Sequence, residues 1–280
     1  MAHKVSSREL GLILGARLLK TEDLHYGYWL PGQEVTMRNL PAAQRAHCDY
    51  LLSKIPAGVK TILDVGCGTG HVAQLLLQRG YEVECVSPAP LLTEAARKRL
   101  GPDVTIYPTT LEALDTARTY DLVLFSESFQ YISPDESLPR VLKLLKPDGH
   151  LLLCDFFALP SDGDSALSGG HPLAPFYVTL ASYPYVLKFD EDITAQTAPN
   201  LQVIDDMLRD YFIPVWETLG YYLRTNRPWL VRLLRPLLRK RIEKLEFKYF
   251  SRGRTAEAFI RHKSYRCMLL GRSVAAGVES

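Results

Sequence analysis

The stretch "ILDVGCGTGHVAQLL", residues 62–76, limits what this 280-residue chain can fold into more than any other. "KTILDV" is a short, β-branched apolar run, the pattern of a buried parallel strand. "GHVAQLLLQRG" follows, with Val72, Leu75 and Leu76 at helical spacing and Gly80 placed to end the helix. Between them Gly66, Gly68 and Gly70 fill three of five positions. Glycine tolerates positive φ and lets backbone approach a ligand with no Cβ in the way. A helix starting near Gly70 aims unpaired N–H groups at the loop. Strand, glycine loop and helix N-terminus predict a nucleotide-type site. A bare turn needs fewer glycines. A Walker loop needs G-K-[ST], and no lysine follows. A dinucleotide fingerprint reads G-x-G-x-x-G with an acid ending the second strand. Here the acid, Asp64, precedes the glycines, and the second strand, "YEVECVS", ends in Ser87.

The rhythm continues down the chain. "PLLTEAARKRL" reads as a helix, "DVTIYP" as strand three and "YDLVLFSES" as strand four. "SLPRVLKLLK" is a helix, "PDG" a turn and "HLLLCDFF" strand five. "YPYVLKFDEDIT" reads as a sixth strand and an acidic turn, and "SYRCMLLGRS" as the last strand. Alternating strands and helices at short spacing predict an α/β fold, Rossmann-like and doubly wound. The sheet is expected to be mostly parallel and seven-stranded, with an N-terminal helical cap and a helical insertion before the last strand. The division is a cap at 1–59, a core at 60–194 and 258–274, and a helical insertion at 195–257.

Asp64, Gly66, Gly68 and Gly70 spell D-x-G-x-G-x-G. This resembles motif I of the class I S-adenosylmethionine (SAM) methyltransferases. "LLKPDGHLLL" is similar to that family's turn before strand five. The resemblance covers residues 60–157 and points to the ubiquinone and tocopherol methyltransferase-like group, which acts on small molecules. It implies SAM as cofactor, with the loop, Cys67 included, around its amino-acid end and Asp64 orienting the cationic amino group. It further implies Tyr28, Ser87, Pro88, Thr110, Leu111, Ser126 and Gln130 as cofactor contacts, and the insertion at 195–257 as a substrate lid.

Two departures stand out. The family's ribose-gripping acid is replaced by Ser87. A charged acceptor contributes roughly 1.5–3 kcal/mol against about 1 for a neutral one. The acid near the adenine is missing as well, leaving Thr109, Thr110 and the backbone of Leu111. Strand four ends "FSESFQYI" and lacks the Asn-Pro-Pro-Tyr-like motif of adenine and glutamine N-methyltransferases. Glu127 has two readings, facing the cofactor or standing as a helix-capping or solvated carboxylate. His25, Glu127 and Tyr131 are the candidate bases, and no single catalytic residue stands out. "LHYGYWLPG" is similar to the aromatic segment that covers SAM in related enzymes; ordinary aromatic packing is its other reading.

Charge matters chiefly in one place. The net charge is only +2, but residues 224–254 hold eleven Arg/Lys and two Glu. Leu230, Leu233, Leu234, Leu237, Leu238, Ile242 and Leu245 repeat there at helical spacing. The segment is either a basic surface for peripheral membrane contact or a helix whose leucines pack on the core. No groove-reading motif supports nucleic acid. Five scattered cysteines without a CxxC pair suggest free thiols in a reducing compartment and no metal site. With no signal peptide and no membrane span, a cytoplasmic protein is expected, in peripheral contact with a membrane if the basic segment faces lipid. The function expected is methyl transfer to a small, hydrophobic or lipid-like acceptor. A non-catalytic SAM- or lipid-binding module is the alternative.

Overall fold

The computed structural model describes residues 23, 25–160, 167–229, 231–233, 236, 239–240 and 254–273. The strands are β1 (Thr61–Val65), β2 (Glu82–Val86), β3 (Ile106–Tyr107), β4 (Tyr120–Ser126), β5 (Leu145–Ala158), β6 (Tyr185–Asp192) and β7 (Lys263–Arg272). They form one sheet in the order β3-β2-β1-β4-β5-β7-β6. The pairs β1–β2, β1–β4, β2–β3 and β4–β5 are parallel. Only β7 runs antiparallel, between β5 and β6. The expected mostly parallel, seven-stranded Rossmann-like sheet is therefore present.

The helices are α1 (Leu40–Ser53), α2 (His71–Gln78), α3 (Pro90–Leu100), α4 (Pro134–Leu144), α5 (Leu173–Ala181), α6 (Thr194–Thr197), α7 (Asn200–Met207), α8 (Ile213–Asn226) and α9 (Ala256–His262). Strand periodicity sends alternate side chains to opposite faces. Ile62, Leu122, Leu124, Leu152 and Cys154 join the core under α1 and α2. Leu63, Val65, Val123, Phe125, Leu151 and Leu153 join the core under α4 and α5. Both faces of the central strands are thus covered, which explains their near-continuous apolar sequences.

Three details depart from the sequence-based expectation. Strand five begins at Leu145, and a register shift against β4 between Tyr120 and Leu122 takes up the "KPDG" residues. Helix α5 carries no periodic signal because "LAPFYVTLA" is apolar nearly all round; Phe176 and Leu180 are buried while Val178 is exposed. The acidic run after "YVLKF" lies inside β6. Arg266 on β7 binds Asp190 and Asp192, and Lys54 binds Glu191 at 2.6 Å, so the charges are paired across the edge strand. All five cysteines are free and buried, as expected. Among the described residues no helix is long and apolar enough to cross a membrane.

Candidate active site

The carboxyl ends of β1, β2, β4 and β5 meet at one edge of the sheet. The strand order reverses between β1 and β4, the place at which open α/β sheets bind their ligands. The glycine loop crosses this edge. Gly66, Gly68 and Gly70 all have positive φ, at 79°, 56° and 80°. Two of them are also needed for packing. A Cβ on Gly66 would lie 2.4 Å from the Ser128 Cβ, and one on Gly70 would lie 3.2 Å from the Ala96 Cα on α3. The Gly66 N–H donates to the Val86 carbonyl at 2.8 Å. Ser128 Oγ donates to the Val65 carbonyl at 2.5 Å. The loop is therefore held between β2 and the turn that follows β4.

Polar groups on this edge point to a missing partner. Asp64 is buried, and its Oδ2 has no hydrogen-bond partner. Burial pushes its carboxyl up to about 7. Ser126 Oγ is likewise enclosed and unpartnered. Buried polar atoms are rarely left unsatisfied without a functional reason. A cationic amino acid end with a carboxylate and exchangeable protons would satisfy both, so the residues fit SAM. Ser87 is buried at the end of β2, where its N–H donates to Tyr107 and its carbonyl accepts from Thr93 Oγ1 at 3.1 Å. Leu111 is buried, whereas Pro88 and Thr110 are exposed. Gln130 is turned towards Asp155, to which its backbone N–H and Nε2 donate at 3.0 and 3.2 Å. Burial pushes Asp155 up to about 8.

Glu127 follows β4 with φ at 55°, a conformation rare outside glycine and frequent at functional sites. It accepts from the Tyr26 N–H and from the Tyr265 hydroxyl, both at 2.7 Å. Burial raises its carboxyl above the ordinary range, with His25 and the two hydrogen bonds opposing. The Tyr265 hydroxyl also meets His47 Nε2 at 3.2 Å. Tyr26, Phe156, Phe259 and Tyr265 form an aromatic cluster with centroids 5.7–6.4 Å apart. Glu127 is thus hydrogen-bonded inside the molecule and caps no helix. Of the other candidate bases, His25 is engaged by Cys48, with Nε2 3.2 Å from Sγ, and Tyr131 is exposed. Tyr28 stacks on Tyr50 at 4.9 Å, and Tyr26, two residues earlier, is the aromatic beside Glu127.

The cap is stitched down by Asn200. Its Oδ1 accepts from the Gly27 N–H and its Nδ2 donates to the Gly27 carbonyl, both at 2.8 Å. Tyr28 N–H donates to Ala43 on α1, and Trp29 N–H to Gln196 on α6. A Cβ on Gly27 would lie 2.6 Å from the Ala43 Cβ, so this glycine permits the close approach. Asn200, Tyr265, His47 and Asp155 carry no sequence signal, since each acts through a partner remote in the chain.

Residues 62–149 match the methyltransferase domain family. An uncharacterised methyltransferase of Mycobacterium bovis is 31% identical over 114 residues, 41% of this chain and 46% of the relative. The chain thus matches slightly under half the length of that curated relative. Among solved structures, a [4+2]-cyclase superposes with a TM-score of 0.67 at 15% identity, covering 95% of this chain and 94% of the other. The geranyl diphosphate C-methyltransferase of Streptomyces coelicolor, solved with Mg2+, a substrate analogue and S-adenosylhomocysteine, gives 0.62 at 14% identity, with 95% and 98% covered. The chain therefore carries a methyltransferase domain match over residues 62–149 and shares its fold with these structures.

Proposed function

We propose that the protein transfers the methyl group of SAM to a small, hydrophobic acceptor. The observation that carries this reading is the pair of buried, unpartnered oxygens, Asp64 Oδ2 and Ser126 Oγ, beside a glycine loop whose conformation only glycine tolerates well. When bound, SAM supplies an electrophilic methyl group. Residues 64–70 would hold its amino-acid end, with Ser87 beside the ribose and Leu111 against the base. In-line displacement at carbon asks for alignment and exclusion of water, which together supply roughly 7–11 kcal/mol. The aromatic cluster of Tyr26, Phe156, Phe259 and Tyr265 suits both an apolar acceptor and a nearby sulfonium. Glu127 is the base we assign for an acceptor that must lose a proton, because burial raises its affinity for one.

The insertion supports delivery of an acceptor from a bilayer. No residue of α8 is buried. Val215, Trp216, Leu219, Tyr221 and Tyr222 on it are exposed, as are Trp229 and Leu233 beyond it. Arg224, Arg227, Arg232 and Lys240 are exposed along the same run. Aromatic and basic side chains together match the chemistry of an anionic membrane surface. The leucine stripe is described only at Leu233; Leu230, Leu234, Leu237, Leu238, Ile242 and Leu245 lie outside the described residues.

The test is binding followed by turnover. SAM and S-adenosylhomocysteine should raise the melting temperature, by about 2.7 kcal/mol of stabilisation at 100 times Kd. Labelled SAM with extracted lipids should release S-adenosylhomocysteine, and Glu127→Gln should slow that release. Binding without turnover on any acceptor would favour a non-catalytic SAM-binding module. No shift with SAM at millimolar concentration would remove the methyltransferase reading.

A further inference from the structure

Beside the glycine loop lies a cluster that methyl transfer does not use. Asp23 Oδ1 lies 3.2 Å from His25 Nε2 and contacts His71 Nδ1 directly. His25 Nε2 lies 3.2 Å from Cys48 Sγ. One donor atom each from Asp23, Cys48 and His71 fall within 4.8 Å of one another. These residues come from three places: the segment before α1, the body of α1 and the first residue of α2, next to Gly70.

The proton arrangement singles this cluster out. His25 Nδ1 meets the Tyr26 carbonyl at 2.8 Å, so Nδ1 carries a proton and donates. With Nε2 protonated the ring donates towards a carboxylate oxygen and a sulfur; with Nε2 deprotonated it turns a lone pair towards them. In the deprotonated state such donors repel unless something positive lies among them. A backbone carbonyl on the far nitrogen is also the arrangement that orients histidine ligands towards a metal. Extra protons would satisfy the groups pair by pair, but they do not explain why donors from three segments converge. Carboxylate, thiolate and two imidazoles are the donor types of a zinc-like site. With bonds of about 2.0–2.3 Å, a tetrahedral site has donor–donor edges of about 3.3–3.7 Å. The two 3.2 Å separations lie close to that range, whereas Asp23 Oδ1 and His71 Nδ1 sit closer than a shared metal would leave them and would part on binding. Asp23, Cys48 and the His25 side chain are buried, while the His71 side chain is 17% exposed and leaves an entry path.

We propose that Asp23, His25, Cys48 and His71 bind one divalent transition-metal ion, zinc or a close equivalent, which pins the N-terminal segment to the glycine loop. Asp23, Cys48 and His71 form its converging triangle, and His25 is the fourth donor. The metal takes no part in methyl transfer. Its role is to fix the start of α2, and with it the loop, against the cap. The site does not depend on the chain being a methyltransferase.

The full chain, purified without chelator, is assayed for metal by mass spectrometry, then stripped and titrated with Co2+. We expect stoichiometric metal, a four-coordinate visible spectrum and a thiolate-to-cobalt charge-transfer band in the near ultraviolet. Cys48→Ser should abolish that band. His71→Gln, at the exposed rim, should fold and weaken metal binding by at least the roughly 10–100-fold that loss of an outer-shell partner costs. Chelation should lower the melting temperature of the wild type, and Zn2+ should restore it. A protein that carries no metal and leaves Co2+ with its aqueous spectrum overturns the proposal, and so does a band that survives Cys48→Ser. Neither result bears on SAM binding, which is measured separately.

Discussion

The proposed cofactor site has two walls, and they are built by different rules. The loop wall is local: Asp64, three glycines and His71 follow one another, and strand order delivers them to the sheet edge. The cap wall is assembled at long range. Glu127 bonds Tyr26 across 101 positions and Tyr265 across 138, and Asn200 bonds Gly27 across 173. Local geometry leaves a mark in sequence because only certain residues can adopt it. Long-range contacts leave almost none, because any residue of suitable chemistry serves if the fold brings it there. A change in the loop wall should therefore act on the conformation itself, and one in the cap wall on docking.

The sharpest test of that contrast is Gly66→Val. A side chain there meets Ser128 at 2.4 Å and must adopt a φ of 79°. Overpacking costs about 1–3 kcal/mol and a strained φ a further 1–3 or so. SAM binding should vanish and the melting temperature should fall clearly. In Gly68→Val the φ is 56°. It should lose SAM binding while unfolding cooperatively. Calorimetry and thermal melts on the pair decide it: if Gly66→Val binds SAM normally, the loop is not the cofactor cradle.

Asn200→Ala is the matching change in the cap. It leaves the Gly27 N–H and carbonyl without their partners, and a buried unsatisfied group costs about 1–3 kcal/mol. Local unfolding should be confined to the cap, so amide exchange should rise in residues 25–29 and stay low in β1 and β4. SAM affinity should weaken without being abolished. Uniform exchange across both walls would show that they unfold as one unit.

This division also governs what could be read from the chain. "ILDVGCGTGHV" shows the strand and the loop because a bare turn needs fewer glycines, and its resemblance to motif I points to the class. Helix α5 leaves no periodic mark because its apolar residues cover both sides, and the sequence of β6 reads short because Asp190 is paired by Arg266, 76 residues away. The candidate bases show the same limit. Glu127 was visible at a strand end, but its partners Tyr26 and Tyr265 were not. His25 is one of three candidate bases in the sequence, whereas the fold sets it against Asp23 and Cys48.

Asp64 gives a pH test on the loop wall. Burial raises its carboxyl from an ordinary 3.8 to about 7. The folded protein without cofactor therefore keeps a proton that the unfolded chain sheds above about pH 4. That contribution to stability is complete below pH 4 and is lost as the pH rises through 7. A cationic ligand favours the ionised carboxylate, so SAM binding should release a proton below pH 7. Affinity should rise about tenfold per pH unit there, or 1.4 kcal/mol, and level off above. Titration calorimetry in buffers of different ionisation enthalpy reads the proton directly. An affinity flat from pH 5 to 8 would place the amino group away from Asp64.

The smallest expected effect on stability lies outside both walls, on α8. Val215, Leu219 and Tyr221 are 66%, 49% and 68% exposed. Replacing each with serine should change stability by no more than about 0.5 kcal/mol, as at other surface sites. Leu124→Ala, in the centre of β4, should instead cost about 2–5 kcal/mol. If α8 meets an anionic bilayer, the same three serines should weaken binding to vesicles containing phosphatidylserine. Replacing Arg224, Arg227 and Arg232 with glutamine should remove about 1 kcal/mol each of salt-sensitive attraction. Flotation of the wild type at low and high salt, alongside melts of the serine variants, measures both properties. A large drop in melting temperature would mean that α8 has an apolar partner within the chain. Unchanged melting with no binding to anionic vesicles would take the membrane out of substrate delivery and leave a soluble acceptor to reach the aromatic cluster directly.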